Sequence, residues 1–285
     1  MSHAPGDRPI LITGCSSGIG MCVARGLKAR GYPVIASARQ RKDVEQLRTE
    51  GFDAIQLDLA DSNSIADAVK QTLTLTQGTL YALFNNGAYG QPGAVEDLRR
   101  EVLRAQFETN LFGTVELTNK IIPTMRRQGY GRIIQHSSVL GLVTLPYRGA
   151  YNASKFALEG ISDTLRLELS GTGIHVSLID TGPVESRFRA NAFAAYQQFI
   201  DAEHSAHHDT YRKMERRLTK QGPAAPFTLP PEAVLKKVIH CLESPRPRAR
   251  YYVTVPTYLF GTLRRLLSTR GLDRILLRVS RGENR

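Results

Sequence analysis

A doubly wound parallel α/β sheet is the fold class that this chain of 285 residues predicts. Three observations predict it. Short β-branched runs alternate with stretches of helical period through about Asp180. The runs are apolar on consecutive residues, as strands buried on both faces are. The stretches between them are about 10 to 15 residues long, enough for a crossover that returns the chain to a parallel neighbour.

Taken in order, ILIT forms the first strand, and a helix follows from about Ile19. PVIASA leads to a helix from about Val44, and DAIQLDL to one from about Ser64. LYALFNN precedes a helix from about Glu101, RIIQHSS precedes the helix that carries Tyr151, and IHVSLID ends the regular pattern. Beyond it, residues 182–222 are polar and partly helical. Pro230 and Pro231 before Glu232 mark a helix start, because proline suits the first turn, and RYYVTVP reads as a last strand. The expected organisation is one domain over residues 1–258, with a helical substrate lid at about 186–230. A basic, amphipathic helical tail over 259–285 completes it.

A 41% hydrophobic, 22% charged composition supports a sizeable core. Met1 to Pro9 is a polar lead without the pattern of an export signal, and no apolar run reaches the roughly 18 residues of a spanning helix. Cys15, Cys22 and Cys241 form neither a paired framework nor a metal-ligand spacing. Reduced thiols and a cytoplasmic location are the expectation. The net charge of +12 raises the question of nucleic acid or membrane partners. Twelve basic and three acidic residues fall between Lys236 and Arg285, which leaves the body near neutrality. No nucleic-acid motif accompanies the charge.

The first strand runs into TGCSSGIG, Thr13 to Gly20. Glycines at 14, 18 and 20 let backbone approach a ligand, and a helix N-terminus favours an anion there. Gly14, Ser16, Ser17, Gly18, Ile19 and Gly20 are therefore candidate contacts to a dinucleotide phosphate. The spacing differs from G-x-G-x-x-G and lacks the lysine of a triphosphate loop; a tight packing turn is the alternative. After the second strand, where an acid would hold a ribose 2′-OH, the chain has Arg39. A guanidinium pairs with a 2′-phosphate, so NADP(H) is favoured over NAD(H), unless Arg39 is simply a solvated loop charge. Asp58, after the third strand, is a candidate acceptor for adenine.

Tyr151 and Lys155 lie four apart on one helix face, about 6 Å between β-carbons. A cation about 4.5 Å from a phenol, at an effective dielectric near 20, favours the phenolate by roughly 3.5 kcal/mol and lowers its pKa by about 2.5. Such a phenol trades protons near neutral pH. Taken alone, such a pair occurs by chance on many amphipathic helices and reads first as a tyrosine beside a snorkelling surface lysine. Ser138 lies thirteen residues earlier, just past an apolar strand, at the sheet edge where open α/β sheets bind ligands. Its hydroxyl can hold a developing alkoxide.

With these motifs together, the chain resembles the classical short-chain dehydrogenases/reductases. The resemblance rests on Thr13 to Gly20, Asn85-Asn86-Gly87-Ala88, Asn110, Ser138 and the Tyr151/Lys155 pair, and runs from about residue 9 to 188. Within the family it looks most like bacterial NADP-dependent reductases related to retinol and 17β-hydroxysteroid dehydrogenases. The resemblance implies a Rossmann-type fold, a carbonyl or alcohol substrate, and a homodimer or homotetramer. It implies that Tyr151 exchanges the proton and Lys155 also binds the nicotinamide ribose. Ser138 would position the substrate oxygen, and Asn110 would keep a water in a proton relay. Asn86 and Gly87 would lie against the cofactor, and Val184 and Ser186 would fix its carboxamide. Two departures stand out: the order Asn-Asn-Gly-Ala, and Thr181-Gly182-Pro183 where proline usually comes first. A regulator that keeps the fold without chemistry is the second class; it needs none of Asn110, Ser138, Tyr151 and Lys155 jointly.

Phe188, Phe193, Tyr196, Phe199 and Tyr211 supply apolar surface for an alkyl, retinoid or steroid-like substrate, or for helix packing alone. His204, His207 and His208 lack a supporting ligand pattern, and no metal site is expected. In the tail, Leu259, Phe260, Leu263, Leu266 and Leu267 fall on one helical face, as do Leu272, Ile275, Leu276 and Val279. That pattern suits either an anionic membrane surface or packing on the main domain or a partner.

Overall fold

The computed structural model describes residues 5–222 and 225–283. Seven parallel strands form one sheet in the order β3-β2-β1-β4-β5-β6-β7. The strands are β1 (Ile10–Ile12), β2 (Val34–Ala38), β3 (Asp53–Gln56), β4 (Ala82–Asn85), β5 (Gly131–Ser138), β6 (Ile174–Thr181) and β7 (Arg250–Tyr252). Helices α1 (Gly18–Ala29), α2 (Arg41–Thr49), α3 (Ser62–Leu75), α4 (Arg100–Phe107), α5 (Gly113–Gln128) and α6 (Gly149–Glu168) make the crossovers. Alternate residues of β1 face opposite layers. Ile10 and Ile12 join a cluster with Val23, Leu27, Val44, Leu47 and Val234, whereas Leu11 joins Ile65, Leu117 and Ile121. All three strand residues are fully buried, each stabilising the fold by about 1.5–3 kcal/mol.

Local chemistry sets the ends. The Asp61 carboxylate accepts the Asn63 N–H at the start of α3. Gly129, at φ 75°, closes α5 in the left-handed conformation that glycine takes without strain. The helix expected from Glu101 is interrupted: a single π-helical turn, Glu108–Phe112, separates α4 from α5. That turn places Asn110 and Leu111 in the interior. Gly113 follows because a β-carbon there would lie 1.7 Å from the Leu59 carbonyl oxygen.

After β6 come α7 (Phe188–Phe199), α8 (His208–Thr219), α9 (Glu232–Glu243), α10 (Val255–Leu266) and α11 (Thr269–Glu283). The last strand is shorter than RYYVTVP implies. Pro256 cannot donate to a ladder and sits in the first turn of α10, so the extended segment stops before it. The tail helices pack on the body: Phe260, Leu263, Leu272, Ile275, Leu276 and Val279 join Val139, Val143 and Leu145. Leu259 and Leu266 depart from the expected face. They are 50% and 75% exposed, opposite the buried stripe of α10. Among the described residues, no helix is long and apolar enough to cross a membrane.

Two glycines test this packing. Gly113→Ala should lower stability by about 2–3 kcal/mol, since rigid backbone must move. Gly160→Ala, with open space around it in α6, should raise stability by about 0.5–1 kcal/mol. Urea unfolding midpoints of the two variants give the check.

Candidate active site

Strand order reverses between β1 and β4, and the crevice beyond their carboxyl ends is where open α/β sheets bind ligands. Thr13 ties the two loops there together. Its Oγ1 accepts the N–H groups of Asn86 and Gly87, both at 2.8 Å. Asn86 Nδ2 donates to the carbonyls of Thr13 (2.9 Å) and Gly14 (3.2 Å). Gly14 and Gly18 have φ of 72° and 55°. A β-carbon on Gly20 would lie 2.1 Å from Gly14 O, one on Gly14 3.0 Å from Gly87 Cα, and one on Gly18 3.0 Å from Ser186 Cβ. The loop is thus side-chain-free where it meets its neighbours, and the unpaired first-turn N–H groups of α1 follow it. Ser16 is exposed, and Ser17 and Ile19 are half-buried, on this rim. Gly87 contacts Thr13 and Gly14 despite the reordered Asn-Asn-Gly-Ala.

His136, on β5, was not singled out by the sequence, although it stands two residues before Ser138. Its Nδ1 lies 3.0 Å from Asn86 Oδ1 and its Nε2 3.1 Å from Thr181 Oγ1. Because Asn86 Oδ1 only accepts, Nδ1 carries the ring proton. Burial, then the Lys155 charge, pushes this histidine down to about 3, so it is a neutral bridge between the β4 and β6 edges.

Tyr151 and Lys155 project from the first two turns of α6. Ser138, at the end of β5, is buried, and its Oγ accepts the Leu140 N–H at 3.1 Å. Burial pushes the Tyr151 phenol up to about 12, while a hydrogen bond with Ser138 pulls it down. This corrects the expectation of a phenol acidified by Lys155. The ammonium lies 5.7 Å from the Tyr151 ring centre and donates at 2.7 Å to the His136 carbonyl, so desolvation outweighs it. Lys155 itself is driven by burial down to about 8, against the negative charges of Glu159 and Asp180.

Asn110 uses its whole amide inside the protein. Its Oδ1 accepts the Tyr89 N–H (3.1 Å), and its Nδ2 donates to Tyr89 O (2.9 Å) and Ser154 Oγ (3.1 Å). Ser154 in turn donates to the Tyr151 carbonyl at 2.9 Å. The π-turn is thereby fastened to the first turns of α6.

The other expected contacts lie on the same edge or nearby. Arg39 is exposed at the end of β2, and its charge reaches the Tyr89 phenol, whose pKa burial raises. One oxygen of Asp58 already accepts the Ala60 N–H at 3.0 Å. Val184 pairs with Leu229 in a parallel bridge, and Ser186 Oγ accepts the Phe188 N–H at 3.3 Å. The Phe188 ring stands edge-on to Tyr151, centres 5.2 Å apart, over Gly90. Tyr196 and Tyr211 instead pack α7 on α8 in the lid's own cluster. His207 bridges Glu96 and the Tyr147 hydroxyl. No metal cluster occurs among the described residues.

A glycine-lined crevice at a switch point, flanked by a serine, a tyrosine and a lysine, defines a nucleotide-binding α/β enzyme class. The comparisons narrow it. The short chain dehydrogenase family matches residues 8–197. The chain is 41% identical over 270 residues to the uncharacterized oxidoreductase YbbO of Escherichia coli K12, covering 95% of this chain and 94% of that protein. It is 32% identical over 258 residues to human 17-beta-hydroxysteroid dehydrogenase type 1, covering 86% and 77%. A short-chain dehydrogenase from Streptomyces avermitilis superposes with a TM-score of 0.74 at 26% identity, covering 96% and 97%. The chain belongs to the short-chain dehydrogenase/reductase family, whose members are oxidoreductases that use a nicotinamide cofactor.

The Lys155 shift has a stability consequence. Below about pH 8 folded and unfolded chains both hold the proton, and the folded state carries the full cost of the buried ammonium. Between about pH 8 and the ordinary value of 10.5 the folded chain sheds it first, and that cost fades. Wild type should therefore gain about 3 kcal/mol on Lys155→Met from pH 7.5 to 10.5. Urea unfolding of both proteins at the two pH values measures the difference.

Proposed function

We propose that this protein is an NADP(H)-dependent oxidoreductase that interconverts an apolar aldehyde or ketone and its alcohol. The observation that carries the reading is the meeting of Ser138, Tyr151 and Lys155 beside the glycine loop. The loop fits a dinucleotide phosphate, because Gly14 and Gly18 hold left-handed backbone and the loop leads into the N-terminus of α1. Gly14, Ser16 to Gly20, Asn86, Gly87, Val184 and Ser186 would hold the cofactor, with Lys155 at its ribose and Asp58 near its adenine. Arg39 favours the 2′-phosphate, since no acid stands there to repel it. The cofactor, when bound, supplies or accepts a hydride.

The chain's own residues do the rest. Tyr151, neutral across the physiological range, gives its proton to the carbonyl oxygen during reduction and recovers it during oxidation. Ser138 aligns that oxygen and stabilises its developing charge. The Lys155 ammonium stabilises the transient phenolate and returns the proton. Asn110 positions Tyr151 through Ser154. Phe188 covers Tyr151 and, with the lid, offers apolar surface to an alkyl, retinoid or steroid-like substrate.

Two further readings concern assembly. Exposed Phe112 on the π-turn and Ile161 on α6 suit association into a dimer or tetramer. On α10, Val255, Tyr258, Leu259 and Leu266 form an outward apolar ridge, while Arg270, Arg274, Arg278 and Arg281 line the outward face of α11. Such a pair suits an anionic bilayer surface at the inner face of a membrane.

NADPH absorbance should fall on addition of apolar aldehydes or ketones, with NADH a poorer donor. Tyr151→Phe should lower kcat by 10²–10⁴-fold, and Arg39→Ala should erase most of the preference for NADPH. Full activity in Tyr151→Phe would rule the mechanism out. Anionic vesicles should co-sediment the full chain at low salt and release it at high salt; neutral vesicles should not bind it. Loss of binding in Leu259→Glu, with the sedimentation coefficient of the free protein unchanged, separates lipid contact from self-association.

A further inference from the structure

Behind Lys155, α6 carries Glu159 and Asp163, each four residues further on. Arg250, from β7, reaches three carboxylates at once. Its guanidinium hydrogen-bonds Glu159, Asp180 at 3.3 Å and Asp163 at 3.1 Å. Side-chain exposure sorts the acids: 10% for Glu159, 0% for Asp180 and 45% for Asp163. Two full negative charges in so dry a space, with one guanidinium between them, would repel at close range. Each inner carboxylate also keeps one buried oxygen, Glu159 Oε1 and Asp180 Oδ1, that no described donor reaches. One proton held between the two acids removes the repulsion and supplies the missing donor.

We propose that Glu159 and Asp180 share a proton and, clamped by Arg250, act as positioning residues that keep Lys155 in its ammonium form during turnover. The inference rests on the reading of Tyr151 and Lys155 as the reacting pair. Around the amine, α6 presents Tyr151 and Glu159, β5 presents His136, β6 presents Asp180, and Arg250 stands behind on β7. The phenol and the imidazole are both neutral near pH 7, so among the described residues the negative charge that reaches the amine comes from Glu159 and Asp180. Burial, then the charge and hydrogen bond of Glu159, holds the Asp180 carboxyl well above the usual carboxylate range, which agrees with a shared proton. With that proton counted, Lys155 and Arg250 face one inner negative charge and Asp163 at the rim. The group is neutral overall, and one charge remains inside to oppose loss of the Lys155 proton.

The test is the pH profile of carbonyl reduction. Wild type should lose rate above about pH 8, as Lys155 deprotonates. Glu159→Gln and Asp180→Asn should each leave that limb in place, because the remaining acid ionises and keeps the inner charge. Asp163→Asn, at the rim, should likewise leave it in place. Glu159→Gln and Asp180→Asn together should move it down by about one pH unit or more. The infrared spectrum of wild type at neutral pH should contain a protonated carboxyl band that Asp180→Asn removes, and the wild-type half of this readout needs no variant to fold. A limb that moves in either folded single variant, an unmoved limb in the folded double variant, or no such band in wild type, overturns the proposal. Activity surviving in Tyr151→Phe would instead overturn the reading of the reacting pair.

Discussion

The buried Lys155 ammonium is the constraint around which the site is arranged. An ammonium taken from water needs hydrogen bonds and opposite charge nearby. The His136 carbonyl supplies the first at 2.7 Å, and Glu159 and Asp180 supply the second. Those requirements fix α6 against the ends of β5 and β6. Tyr151, one turn earlier on the same helix, is placed by the same fastening.

Each neighbouring device then has a physical reason. His136 stays neutral because burial penalises the charged ring and, further, a second cation beside Lys155 would be repelled; its two ring nitrogens join Asn86 to Thr181 across the sheet edge. Asn110 reaches Ser154 because the π-turn adds a residue to the helical path before α5. Gly113 completes that geometry, since no side chain fits against the Leu59 carbonyl. The glycine loop is attached to this assembly through Thr13 and Asn86. It is thereby hydrogen-bonded, through Asn86 and His136, to the strand that carries Ser138.

Phe188 and the tail show how one composition serves two ends. The lid's aromatics divide by burial: Tyr211 is fully buried and donates to Asp97, while Phe188 stands over Tyr151. The apolar residues of α10 divide similarly. Phe260 and Leu263 turn toward Val143 and Leu145, and Leu259 and Leu266 turn away.

Consecutive apolar runs and crossover-length helices were sufficient to specify the parallel sheet, because strands buried on both faces leave that local mark. The glycine loop, Ser138 and the Tyr151/Lys155 spacing were equally legible, since each is a short-range pattern. The protonation states were not. A four-residue spacing fixes which side chains share a face, but the balance between burial and charge depends on groups far apart in the chain. Glu159 and Asp163 lie on α6, while Asp180 and Arg250 arrive from β6 and β7. Nothing local announces that they meet, and only the packed sheet brings the Arg250 guanidinium to all three acids. The shortened last strand and the inward face of the tail were likewise decided by tertiary packing, where Pro256 and the Val143 cluster outweighed the local apolar pattern.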